Sequence, residues 1–351
     1  MEIQASELDI DYGTVTNNGT LQANSGNLLH LVQAALTNFS GNTLTGGTYN
    51  VYGAAGSPGT LQIDALGSSG GEIQNNAATI LLSGPNSNFV DQAGLDALSQ
   101  FSNNTAAGSF TIQNGRNFTS PGDFANAGTV NIGAGSTFTT GPGAADNFNQ
   151  TAGMTQVGGT LATSNANISG GLFGGTGTVA GNVNMLAGTT IKAGDAPGIL
   201  TINGSLSLGG TLLVDIEGTT AGAGGYSQLV VNGGKASLGG TLDVDLLNGF
   251  SPTPGEDFYL LTSTGGDSGT FSTLDVQPLP VGEAWLLNYN PASCPYGDSG
   301  CLELEVETST SPTPPPVTVD PEPSTMVLVA TGLVGFLARR RMKRRSGKPR
   351  V

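Results

Sequence analysis

The chain has 351 residues, 56 of them glycine and only 11% of them charged. Residues 1–320 hold 25 acidic side chains against Arg116, Lys192 and Lys235, a net of −22, whereas residues 321–351 hold eight bases and Glu322, a net of +7. Acidity on that scale serves solubility and repels phosphate, which argues against nucleic acid as a partner; glycine without a three-residue period excludes collagen, and regularly spaced Val, Ile and Leu argue against plain disorder.

The first residues, MEIQASELDIDYG, have neither the basic n-region nor the apolar h-region of a secretory signal. Because the other end of the chain carries export features, an in-frame segment encoding such a signal is expected ahead of Met1. The one histidine, His30 in GNLLHLVQ, lies beside leucines, a setting for a packed or surface residue rather than a catalytic base. A unit Gly-Thr-apolar recurs at Gly13, Gly19, Gly47, Gly59, Gly128, Gly159, Gly177, Gly210, Gly240 and Gly269, and its last three copies are almost evenly spaced. Residues 88–101, NFVDQAGLDALSQF, depart from it; Leu95, Leu98 and Phe101 at three-residue intervals predict a short helix or a decorated corner.

Within the units the period is two. SLGGTLLVDIEG at 207–218 returns as SLGGTLDVDLLNG at 237–249. Leu212, Val214 and Ile216 share one strand face and Leu213, Asp215 and Glu217 the other; Leu242, Val244 and Leu246 are expected inward, Asp243 and Asp245 outward. In CLELEVET, Leu302, Leu304 and Val306 alternate with Glu303, Glu305 and Glu307. Short alternating strands separated by Gly, Asn or Asp turns suit a β-solenoid, whose levels each bond to the levels above and below. With roughly 20–30 residues per level, on the order of ten to fifteen levels are expected. Residues 1–250 form this repeat body, and residues 251–307 its closing strands, with Trp285 and Tyr289 as a terminal plug. Cys294 and Cys301 flank PYGDSG; in an exported protein they close a small loop as a disulfide. A two-cysteine metal site is the competing reading, weakened by the remoteness of His30.

Residues 308–320, rich in Pro, Ser and Thr, form an extended spacer. Residues 325–338, TMVLVATGLVGFLA, are uncharged. As a helix they span about 21 Å, short of a hydrocarbon core of about 30 Å. Flanking arginines extend the usable length by snorkelling and hold the basic end inside the cell, leaving the acidic body outside.

Three parts in order, Pro321-Glu322-Pro323, the apolar run to Ala338, and the basic end with Arg339, Arg340, Arg341, Lys343, Arg344 and Arg345, resemble the PEP-CTERM sorting signal of Gram-negative bacteria. The resemblance implies recognition by an exosortase, a membrane transpeptidase, with Pro321-Glu322-Pro323 as sorting motif, the basic residues as stop-transfer, and the inner membrane as transient anchor. It further implies removal of the tail and transfer of the body to the cell surface or its exopolysaccharide. Residues 174–218 and the repeat after them are similar to autotransporter-type passenger strand repeats, which implies a right-handed parallel β-helix and says nothing of activity.

Enzyme chemistry finds little support. A Ser-His-Asp site would depend on His30, a polysaccharide lyase on the widely separated Arg116, Lys192 and Lys235, and GTGTVA at 175–180 lacks the helix pattern of a dinucleotide loop. Asp243 and Asp245 lack a calcium-repeat context. The expectation is a non-catalytic, exported surface or matrix protein with no cofactor. An adhesin or glycan-binding rod is the alternative, and a carbohydrate-active β-helix the third reading.

Overall fold

The alternation of apolar and polar residues becomes a ladder in which equivalent residues of successive repeats lie directly over one another. A computed structural model describes residues 6–309, apart from 68–70, 144, 195 and 292–293. The spacer from residue 310 on, the Pro-Glu-Pro motif, the apolar run 325–338 and the basic end lie outside the described residues, as does the start of the chain to residue 5; Thr308, assigned to the spacer, ends the last strand instead. The described part is all-β: its one helical element is the 3-10 turn Pro295–Gly297. No helix among the described residues is long and apolar enough to cross a membrane.

Most strands belong to one large mixed sheet, whose pairings are largely parallel. Partners lie close in sequence: Asn165 pairs with Asn182, and Thr241 with Thr273. A separate parallel sheet joins Glu7–Asp11, Leu28–Val32, Gly59–Ile63 and Ser87–Val90 in that order. The long repeat stacks as its sequence predicts. Ser207 pairs with Ser237, Thr211 with Thr241, and Val214 with Val244. Leu212, Val214, Ile216, Leu242 and Val244 are buried, and Leu246 is half-buried against the same core. The third Gly-Thr-apolar copy falls out of register. Leu238 pairs with Gly269 but Thr241 with Thr273, so residues 270–272 form a detour that brings Phe271 back to the core.

Glycine between the strands is a packing requirement. A Cβ on Gly240, whose φ is +69°, would lie 2.0 Å from the carbonyl oxygen of Gly210, which precedes the paired strand. Backbone rests on backbone at this corner, and a side chain has no volume to occupy.

The interior is largely apolar, and a buried polar seam runs beside its aromatic rings. Phe110, Phe124, Phe138 and Phe148 are fully buried; Phe124 and Phe138 meet edge to face with ring centroids 4.8 Å apart. Beside them Asn76 donates to Asn104 Oδ1 at 2.9 Å, Asn104 to Asn126 Oδ1 at 2.9 Å, and Asn126 to Gln150 Oε1 at 3.4 Å. All four side chains are fully buried. Each amide thus spends its donors on the next level and on nearby carbonyls, which is how polar groups are tolerated in a dry core. A second, partly exposed ladder runs from Asn184 through Asn167 to Asn149.

Of the two readings of residues 88–101, the corner holds and the helix does not: residues 91–102 form turns capped by Asp91 and Asp96, with Asp91 Oδ1 accepting from the N–H of Ala93 and Leu95 and Asp96 Oδ1 from that of Leu98. Ala97, Leu98 and Phe101 turn into the core while Leu95 stays out. Asp215, expected outward, is 2% exposed, because the chain loops out after Ile216 and returns at Tyr226, laying Ser227 against it. Glu303 is buried too, flanked in register by Tyr259 and Asn288, with Asn288 Nδ2 donating to it at 3.1 Å.

Parallel stacking ends near residue 276. Asp257–Ser263 and Glu283–Tyr289 pair antiparallel on either side of Gly300–Thr308. Trp285 and Tyr289 are half-buried against the core; Trp285 Nε1 donates to the Gln277 carbonyl at 2.8 Å, and the Tyr289 hydroxyl accepts from the Phe271 N–H at 3.0 Å.

Candidate functional sites

The few bases of the body are its scarcest chemical resource, and the structure separates them. Lys235 is exposed on the strand Gln228–Leu238. Lys192, at the end of Thr190–Lys192, is largely covered, and its Nζ lies 2.8 Å from Asp215 Oδ2. Lys192 is thus the basic partner of a carboxylate that the loop covers, and removing either side chain would leave the other buried without its counterpart.

Asp215 also belongs to an acidic column. Asp245 pairs with Asp215 in register, and Asp243 with Asp275. Burial, then the charges of Asp245, Asp275 and Asp215, raise the Asp243 carboxyl above its ordinary range. A column of this kind invites a calcium reading. Yet among the described residues no three His, Cys, Asp or Glu side chains converge as a metal set.

His30 is placed by its strand between two carboxylates. In register it lies between Asp9 and Gln62. Its Nε2 is 2.8 Å from Asp64 Oδ1 and its Nδ1 3.8 Å from Asp9 Oδ1; Asp64 Oδ2 accepts from the Gln33 N–H as well. The ring is thus a polar tie between neighbouring strands and a following loop.

Cys294 and Cys301 are joined in a disulfide, with Cα atoms 5.7 Å apart. It closes the loop containing Pro295–Gly297 and fixes the start of Gly300–Thr308, whose Cys301 is fully buried opposite Thr262.

Arg116 lies in the turn after Ser109–Gln113. It lines a cavity of 420 Å³ with Thr60, Gln62, Asn88 and Asp96. Its side chain is 16% exposed, its Nε is buried without a hydrogen-bond partner, and its Nη2 stands 3.7 Å from Asp96 Oδ2, beyond hydrogen-bond length. Burial pulls the guanidinium pKa down, opposed by the charge of Asp96. Burial, then the charge and hydrogen bond of Asp91, then Asp96, raise the Glu72 carboxyl. Sequence reasoning singles out Arg116 but not its company. The one signal available was the pair of aspartates in DQAGLDALSQ, within the segment that breaks the repeat.

None of these groups assembles a nucleophile, base and charge stabiliser in one place. What assigns a biological role lies outside the described residues. Residues 321–341 match the PEP-CTERM protein-sorting motif. No curated protein matches the chain. The PEP-CTERM motif implies an exported protein, held by a C-terminal membrane anchor at the sorting step, with an exosortase as its processing partner in general. It contains Pro321, Glu322, Pro323 and the apolar run, and ends on Arg339, Arg340 and Arg341, the first of the bases expected to stop transfer; Lys343, Arg344 and Arg345 follow it.

Proposed function

We propose that this chain is a non-catalytic surface or matrix protein, exported, cut by an exosortase within its C-terminal tail, and associated with exopolysaccharide. The PEP-CTERM motif at residues 321–341 carries the reading. Prolines on both sides of Glu322 keep that segment extended and open to a processing enzyme. The apolar run 325–338, at about 21 Å against a core of about 30 Å, makes a poor permanent anchor and an adequate temporary one. The arginines after it stop transfer and set orientation.

The body is proposed to be a right-handed β-solenoid of the autotransporter-repeat type. Parallel partners close in sequence, in-register repeats and stacked Asn ladders support that architecture. Its non-catalytic character is supported by the separation of Arg116, Lys192 and Lys235 and by the capture of His30 between Asp9 and Asp64.

The test is mass spectrometry of protein extracted from the cell surface. Peptides ending before the apolar run are expected, and changing Pro321, Glu322 and Pro323 together to Ala should hold the full-length chain in the membrane fraction. Mature surface protein that still yields peptides spanning Val334 to Arg339 refutes processing and leaves a simple tail anchor.

A further inference from the structure

The cavity at Arg116 has a construction that the repeat does not explain. Its floor is the outward face of two paired strands, Gly59–Ile63 and Ser87–Val90, where Thr60 lies beside Asn88 and Gln62 beside Val90. Its wall is the segment after Val90 that breaks the repeat. Asp96 bridges back to Val90, and the backbone carbonyl of Gln92 accepts from Gln62 Nε2 at 3.3 Å. Arg116 closes the remaining side. At 420 Å³ the space falls within the range of about 300–1,000 Å³ that small ligands occupy.

The guanidinium is the feature that asks for a ligand. It is the one arginine in a body of net charge −22, and it is mostly withdrawn from water. Withdrawal on that scale normally comes with a paired carboxylate in hydrogen-bond contact. Asp96 does not supply this: its Oδ1 is committed to the Leu98 N–H, and its Oδ2 stays 3.7 Å away. The geometry points to a binding subsite for an acidic sugar, with the ligand carboxylate on the Arg116 Nη edge and ring hydroxyls on Thr60, Gln62 and Asn88. The charge balance selects a monoanion, because the Asp96 carboxylate lines the same cavity and opposes a dianion such as sulfate. The floor selects hydroxyls. Thr60, Gln62 and Asn88 present a hydroxyl and two amides beside the half-buried Val90, whereas Phe89 is 1% exposed and offers no face for an apolar side chain of a peptide. This site deepens the proposed association with exopolysaccharide and rests on it for its biological setting.

The full-length protein, kept soluble in a non-ionic detergent, is titrated with D-glucuronate, D-glucose, acetate and sodium sulfate. Saturable glucuronate binding is expected, at least about tenfold tighter than each of the other three, and weaker as salt is raised. R116Q should weaken glucuronate binding at least about tenfold, and R116K should recover only part of it because lysine lacks the planar fork. Asn88→Ala, at a half-buried floor position, gives the same answer if R116Q fails to fold: weaker glucuronate binding with an unchanged melting temperature. Glucuronate bound equally by R116Q and by the parent protein, or no saturable binding at all, overturns the site. Equal binding of acetate overturns the sugar assignment and favours a carboxylate from a peptide, and equal binding of sulfate overturns the preference for a monoanion. Each of these failures leaves exosortase processing, which is read by mass spectrometry of the tail, untouched.

Discussion

Replacing Asn104 with Ala removes the middle rung of the buried amide seam. The side chain is fully buried; it accepts from Asn76 and donates to Asn126 Oδ1 at 2.9 Å and to the Thr129 carbonyl at 3.0 Å. Asn76 keeps a bond to the Ala78 carbonyl, and Asn126 Oδ1 keeps one from the Gly128 N–H. The damage is therefore partial: one carbonyl and half of two amides lose partners where water does not reach. At about 1–3 kcal/mol for each buried group left unsatisfied, the net loss should be about 2–4 kcal/mol. At about 1.6 °C per kcal/mol for a body of this size, the melting temperature should fall by roughly 3–6 °C. Asn167→Ala breaks the partly exposed ladder instead, where water replaces the lost bonds, and should cost within about 0.5 kcal/mol. Asn104→Asp should be worse than Ala, because it sets a carboxylate against the oxygens of Asn126 and Thr129. Circular dichroism melts of the parent and the three variants decide it. If N104A falls no further than N167A, the seam is not an interior device and the reasoning fails.

Other changes test other levels of the structure. Gly240→Ala should lower stability by about 2 kcal/mol or more, since its Cβ meets the Gly210 carbonyl oxygen at 2.0 Å with φ at +69°; Gly188→Ala, with a similar φ of +84° but nothing within 4 Å, should cost only about 1–2 kcal/mol, and equal melting shifts would refute the close-contact account. Reducing the Cys294–Cys301 disulfide, whose cysteines are close in sequence, should cost roughly 2–3 kcal/mol by loop entropy, seen as a lower denaturation midpoint in reductant that Cys294→Ser abolishes as a further effect. Asp243 is raised in the folded state above its ordinary value of 3.8, so its contribution should weaken stability as pH climbs from that value through the raised one, and be fully adverse above it. Asp243→Asn should therefore raise the melting temperature at pH 7 and flatten its pH dependence between pH 4 and 7; an unchanged slope argues against the acidic column.

The ladder was legible where the sequence repeats itself and obscure where it does not. Thr211 over Thr241 and Val214 over Val244 follow from two nearly identical segments, 207–218 and 237–249, because identical strands stack best in register. Phe271 shows the limit: the third copy keeps the glycine and the threonine, yet the pairing jumps from Gly269 to Thr273, since the detour puts the large ring into the core. Residues 88–101 left helix and corner both open for a related reason, and form the corner. A three-residue apolar spacing is also what successive tight turns produce, and the aspartates that cap those turns, Asp91 and Asp96, are poor residues for a helix interior. Asp215 and Glu303 were assigned outward by a sound alternation rule that knows nothing of what covers the outer face.

Chemistry at the candidate sites was less legible still, because its partners come from distant levels. Arg116 was visible as a rare base, but its neighbours Thr60, Gln62 and Asn88 stand on two earlier strands and converge on it only when those parallel strands pair. Lys192 finds Asp215, and His30 finds Asp64, by the same route. The sorting motif is the opposite case. Its meaning lies in contiguous residues, Pro321 to Arg341, whose charge and apolarity are read by a membrane and an enzyme without reference to the fold. The two kinds of information therefore separate along the chain. A body held by stacked ladders can accept altered loops at its corners without any change to the residues of the tail motif. An insertion such as residues 91–97 builds a new wall on an existing strand face without disturbing the register on either side.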